Sequence, residues 1–439
     1  MSGRTYPSKL RPRSGVMSAT PTPASSRVLL DPTPAPASDT VSANTPMAHA
    51  SATRPVILFR FPMRTLRPLR SWLLQWTSPN RWPFLRGTRP SAQTSCRLAR
   101  VMRLPIGIEI PYTDLQDRAS LIALAREAED LGYDCIWCSE VYTYDAFTTL
   151  TQIACETSTI KVGTNIAQIY ARTPSLLATT AASLDQLSGG RLIVGVGASG
   201  PQVVEGWHGV PYDRPVQRTR EIIEIARTVW SGQKVLHEGP IYHLNKGLKL
   251  LNAGHRKDIP IYVASLGPKN VEMTAEVADG WLPFPFSSEH ARSVFDGPIK
   301  AGLAKRSAER GQFHVAPFAP VFVGGIEQGL NGARMVVGFY IGGMGSKEKN
   351  FYNQLVQRYG FVEEAKKVQE MFLGGDKAGA IAATPDDLVD QVSVVGDEAR
   401  VRDRLHAFAD AGATELVVSF LGDPAARSEM MKSLARANG

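Results

Sequence analysis

From residue 104 onward, the chain alternates between two spacings of apolar residues. Leu104-Pro-Ile-Gly-Ile-Glu-Ile is a nearly continuous apolar run, the pattern of a strand buried on both faces. Residues 115–131 then carry Leu121, Leu124, Ala125, Ala128 and Leu131 at helical spacing, with Gly132 placed to end the helix. Further strands are predicted at 134–138, 160–166, 192–196, 259–264, 281–284, 314–322 and 415–420. Helices are predicted between and after them, at 174–187, 216–230, 270–278, 288–310 and 424–437. Strand–helix units repeated in this order predict an α/β fold, a (β/α)8 TIM barrel, rather than an open nucleotide-binding sheet. Such a barrel takes roughly 250 residues. Residues 104–439 are more than that, and the largest predicted insertion runs from about 338 to 395.

Residues 1–103 follow neither spacing. They are rich in Pro and Arg, with runs such as Pro32-Thr-Pro-Ala-Pro-Ala that cannot sustain helix or sheet ladders. Through residue 104, 16 Lys and Arg face only Asp31 and Asp39, a net of +14, so the formal +8 of the whole chain leaves −6 for the remainder. The basic character therefore belongs to this extension, and a nucleic-acid surface on the barrel is not expected. A transit peptide, a phosphate-binding arm using Trp72, Trp76 and Trp82, and a disordered extension all fit its composition. The disordered extension is the expectation, with the working protein starting near Met102. No apolar run approaches the ~20 residues of a membrane span, so no membrane partner is expected.

Cys135-Ile-Trp-Cys138 has C-x-x-C spacing but lies on a predicted strand, where residues three apart point to opposite faces. Without a second such pair there is no metal set, and the four cysteines fit a reducing cytoplasm.

Barrel chemistry gathers at the carboxyl ends of the strands. The first end offers Glu109, then Pro111 and Tyr112; Glu109 is either a proton donor with its pKa raised by burial or an inert carboxylate. The second end offers Ser139-Glu140-Val141-Tyr142 and the third Gly163-Thr164-Asn165-Ile166-Ala167. The fourth gives Gly195-Val-Gly-Ala198-Ser199-Gly200-Pro201, whose glycines serve either a ligand or only a turn. The fifth gives Ala264-Ser265-Leu266-Gly267-Pro268 at a helix start, a place for phosphate or simply a helix initiator. No Lys stands at a strand end for Schiff-base chemistry, and the glycines of 325–345 lack a Walker Lys.

Together these ends resemble the luciferase-like monooxygenase superfamily, in particular its coenzyme F420-dependent oxidoreductases. The resemblance rests on Leu187-Ser-Gly-Gly-Arg191, the Gly195 to His208 loop, Arg172-Thr-Pro, Ile261-Tyr-Val-Ala-Ser-Leu-Gly-Pro, Ala278-Asp-Gly-Trp281 and Gly342-Gly-Met-Gly345. It implies hydride transfer between the deazaflavin F420 and a small organic substrate, in a homodimer. Reduced-FMN monooxygenation and cofactor binding without turnover are the alternatives. It implies a cis peptide at Asn165–Ile166, and cofactor contacts from Thr164, Asn165, Ile166, Ala198, Ser199, Gly200, Ala264, Ser265, Leu266 and Gly267. Glu109 and Glu140 are the catalytic candidates. Val141 replaces a His common after the second-strand acid, and Gly200 replaces an acid found in some relatives, which leaves Glu109 as the remaining proton donor.

Overall fold

The computed structural model describes residues 103–252, 256–345 and 349–439. The expectation for the extension lies outside these residues, apart from Arg103.

Eight parallel strands form the barrel. They are β1 Ile106–Glu109, β2 Cys135–Cys138, β3 Lys161–Thr164, β4 Leu192–Gly197, β5 Ile261–Ala264, β6 Gly280–Trp281, β7 and β8 Leu416–Phe420. Strand β7 comes in two pieces, His314–Val315 and Phe318–Val323, separated by Ala316 and Pro317. Its first piece pairs with β6 and its second with β8, which in turn pairs with β1. The ladder thus runs around the whole circle, leaving no barrel strand edge to template aggregation. All eight predicted strands are present.

Helices cover the outside, and several of them are capped by residues legible in the chain. Asp117 caps Arg118–Asp130 by accepting from the amides of Ala119 and Ser120, which is why this helix starts at Arg118 rather than at the predicted 115. In Arg172-Thr-Pro, Thr173 caps Pro174–Leu187 and Pro174 supplies the first helical residue. The predicted helix over 288–310 is interrupted: Ala291–Leu303 ends, and Ser307 opens a short 3-10 turn at Ala308–Arg310. Between β7 and the last helix–strand unit lie Ile326–Gly343, Phe351–Arg358, Val362–Leu373, Lys377–Ala382 and Asp386–Gln391, and then Val394–Gly396, which pairs with β7. An antiparallel hairpin that the apolar spacing did not disclose, Val235–Glu238 with His243–Leu248, stands apart from the barrel. Both of its strands are half polar and largely exposed, so neither carries a buried-strand signature.

The barrel has a solid interior. Cys135, Trp137, Ile193, Tyr262, Leu282, Ala316 and Val417 fill it, with Ile166, Ala264 and Phe318 packed against them. Cys138 lies in the other core cluster, between strands and helices, so the two cysteines face opposite ways as their spacing requires. The indole of Trp137 dictates two glycines: a Cβ at Gly107 would lie 2.3 Å from it, and one at Gly163 would lie 2.5 Å from it. At the amino ends of the strands is a cavity of about 710 Å3, lined in part by Lys161, Arg191, Arg227, Arg310, His314 and Glu415.

Candidate functional site

The carboxyl ends of β1, β2 and β3 converge on one carboxyl group. Glu109 ends β1, and its residue is only 7% exposed. Its Oε1 lies 2.5 Å from the Ser139 hydroxyl, just beyond β2, and its Oε2 accepts from the Asn165 side-chain amide at 3.0 Å. Burial pushes the Glu109 carboxyl up to about 7, against the opposing effect of the hydrogen bonds from Ser139 and Asn165. The Ser139 hydroxyl also lies 2.8 Å from the Asn165 carbonyl oxygen. The peptide bond from Asn165 to Ile166 is cis, as the resemblance implies.

Strands β3, β4 and β5 meet beside this group. A Cβ on Gly197 would come within 2.9 Å of Ile166 and 3.3 Å of Ala264, so the backbones of three strand ends are packed closely there. The loop beyond β4 turns through Ser199 in the left-handed region, with φ 57°. Ala198, Ser199 and Gly200 are half-buried, and a Cβ at Gly200 would meet nothing. Gly267 leads into the helix Pro268–Val277, and it too borders open space. Arg358, from the helices after β7, donates to the Leu266 carbonyl at 2.7 Å.

Not every candidate presents its side chain. Thr164 is fully buried and its hydroxyl donates to the Gly195 carbonyl at 2.7 Å. The Ser265 hydroxyl meets that of Thr274 at 2.9 Å, while its carbonyl accepts from the Trp281 indole at 2.8 Å. These two residues can offer a ligand little beyond backbone. Glu140 is held in a bidentate ion pair with Arg172 at 2.5 and 2.6 Å, with side chains only 9% and 13% exposed. Arg172 also meets Asp145, and the Gln168 amide donates to Glu140. So paired, Glu140 fixes the loops beyond β2 and β3, and its oxygens are not free for proton transfer.

Ser139, Arg172 and Tyr112 were in view in the sequence but without roles. Nothing in the text of one strand reveals the cross-strand register that brings a serine against a glutamate 30 residues away. Tyr112, three residues beyond Glu109, is half exposed, and burial of its phenol together with the Glu109 charge pushes its pKa up. Among the described residues, no group of three His, Cys, Asp or Glu is placed to hold a metal.

Comparison with known proteins agrees with this geometry. The luciferase-like monooxygenase family matches residues 102–415. A Mycobacterium tuberculosis protein named "putative coenzyme F420-dependent oxidoreductase" is 36% identical over 346 residues, 76% of this chain and 98% of that protein. The 5,10-methylenetetrahydromethanopterin reductase of Archaeoglobus fulgidus is 31% identical over 300 residues, 66% of this chain and 86% of the relative. The solved structure of the coenzyme F420-dependent tetrahydromethanopterin reductase of Methanopyrus kandleri superposes with a TM-score of 0.64 at 25% identity, covering 76% of this chain and 98% of that one. The chain belongs to the luciferase-like monooxygenase family.

Proposed function

We propose that this enzyme is a coenzyme F420-dependent oxidoreductase that reduces a C=O or C=N bond of a small organic substrate. The observation that carries the reading is Glu109: a buried carboxyl raised to about 7, hydrogen-bonded to Asn165 at the cis bulge of β3. Such a group is about half protonated at neutral pH, and its acid form can accompany hydride addition as the proton donor.

The strand ends fit a flat tricyclic ring with a phosphate-bearing tail. Ile166, Ala198 and Ala264 give an apolar wall, and Gly200 and Gly267 border open space where a side chain would intrude. The amino end of the helix Pro268–Val277 would meet the phosphate with free backbone amides and the positive end of its dipole. When bound, F420 supplies a hydride donor whose ring carbon does not support the oxygen chemistry of a flavin. The chain itself orients that ring, walls it from water below with the Trp137 cluster, and keeps a proton on Glu109. Glu140 and Arg172 hold the loops in place. The Mycobacterium tuberculosis relative and the Methanopyrus kandleri structure, both named for F420, support this cofactor over FMN. A cytoplasmic homodimer acting on a small molecule completes the proposal.

Titration of the purified protein with F420 and with FMN tests it, followed by a carbonyl and imine substrate screen under nitrogen and under air. Tight F420 binding with anaerobic reduction is expected. Micromolar FMN binding without F420 binding, or turnover that needs oxygen, overturns it.

A further inference from the structure

At the amino ends of the strands, away from Glu109, positive charge gathers with too little acid to balance it. Asp279 leads into β6, and its Oδ2 accepts from the Ile261 amide at 2.8 Å and from Arg227 at 2.9 Å. Arg227 comes from the last turn of the helix Pro215–Trp230. Arg306, just beyond the helix Ala291–Leu303, lies 3.9 Å from the other oxygen of the same carboxylate. It also donates to the Arg310 carbonyl at 2.9 Å, which holds the 3-10 turn Ala308–Arg310 beside it. Arg227, Asp279 and Arg310 all line the cavity of about 710 Å3.

Two of these arginines also serve the fold. Arg227 donates to the Val277 carbonyl at 3.1 Å, and Arg306 donates to the carbonyls of Ala275 and Ala278, so both sit at the negative end of the helix Pro268–Val277. Arg310 has no such task. It is half-buried, yet among the described residues its guanidinium has no hydrogen bond and no ion pair. Burial, and then the charges of Arg227 and Arg306, push its pKa down against the pull of Asp279 and the exposed Glu224. An arginine stays charged regardless, so the repulsion persists until an anion relieves it.

The rest of the wall does not supply that anion. Glu415 accepts from the Tyr262 hydroxyl at 3.0 Å and pairs with His314 at 2.8 Å, while Asp258 and Glu309 are exposed to water. The other cations are already engaged. Lys161 pairs with Asp134 and Arg256 with Asp185, and Arg191 donates to the carbonyls of Ala154, Thr157, Ile160 and Ser188. The basic extension has the wrong sign to fill the gap.

We propose that this cavity is a second binding site, for the phosphate dianion of a small organic monoester, with Arg227 and Arg310 as its clamp. Three guanidinium groups against the one carboxylate of Asp279 leave an excess of two, which matches the charge of a phosphate monoester near neutral pH. The planar fork of arginine suits two phosphate oxygens at once. About 710 Å3 is far more than bare phosphate fills and lies within the roughly 300–1,000 Å3 of small-molecule sites. The His314 ring, stacked on Tyr262 with centroids 5.8 Å apart, gives the organic part a flat wall. The Trp137 plug lies between this cavity and the carboxyl ends of the strands, so the site stands apart from the reductase reading.

Calorimetric titration of the full chain at low salt, with inorganic phosphate and with phenyl phosphate, tests the site. Arg310→Gln is the deciding variant, because that side chain supports no other group and its loss should leave the melting temperature unchanged. The variant also keeps the basic extension, so phosphate held there counts equally in both proteins. One saturable site is expected in the wild type, weakened about tenfold or more in Arg310→Gln and lost in Arg310→Glu. Phenyl phosphate should bind more tightly than inorganic phosphate; the reverse order overturns the organic monoester in favour of free phosphate. Equal affinity in wild type and Arg310→Gln, or no saturable site at millimolar ligand, overturns the proposal.

Discussion

Between a pH near 4.5 and one near 7, the native chain holds a proton on Glu109 that the unfolded chain has released. Excess protons on the native state make stability fall as pH rises through that window. The penalty is complete above about 7 and absent below about 4.5, and a shift of this size corresponds to on the order of 3 kcal/mol. Glu109→Gln removes the titration, so this variant should gain thermal stability relative to wild type as pH is raised from 5 to 8 while losing reductase activity. Parallel melting curves across that range check it; a constant difference between the two proteins contradicts it. Arg172 tests the opposite case. Arg172→Ala strands the Glu140 carboxylate in a site that leaves it 9% exposed, a loss on the order of 3–5 kcal/mol. The double variant with Glu140→Gln should recover a large part of that loss in urea unfolding, because the unpaired buried charge has gone.

Among the elements, β4 separates glycines that the fold needs from one that the mouth needs. A Cβ at Gly195 would sit 1.9 Å from the Thr164 carbonyl, so the two strands would have to move apart. Gly195→Ala should cost a few kcal/mol, of the order seen for overpacked cores. Gly200 has an ordinary φ of −104° and open space ahead of it, so Gly200→Ala should melt near the wild-type temperature and act, if at all, on cofactor affinity. Melting curves of both proteins decide this. The eight strands were readable because a barrel strand is buried on both faces and spells itself as a short apolar run. The exposed hairpin at 235–248 has no such run and was not. In the site, Glu109 could be found because a carboxylate inside an apolar run is conspicuous. Ser139 could not, since serine at a strand end is commonplace and its partner is fixed by the pairing of Glu109 with Trp137 across β1 and β2. The ion pair that occupies Glu140 joins the ends of two strands, and the sequence of neither contains it.

For the molecule as a whole, a barrel whose ladder closes through β7, β8 and β1 needs no strand from elsewhere. A chain of residues 102–439 should therefore match the full chain in melting temperature and F420 affinity; a drop of several degrees, or loss of the cofactor, would assign the extension a part in the fold. The closed wall also has an inside, and there Trp137 acts as a stopper. It stands directly across from Glu109 in the β1–β2 pairing, while Ile193 and Tyr262 from the same plug border the cavity at the other end. Shortening it by Trp137→Ala would open a void wide enough for water to rise from the charged lower chamber to the underside of the carboxyl. The acidity of Glu109 would then slide back from about 7 toward 4.5 without any change to the groups that touch it. An indole that contacts no substrate would in this way set the pH range over which the enzyme works, and a carboxyl titration of that one variant would read it out.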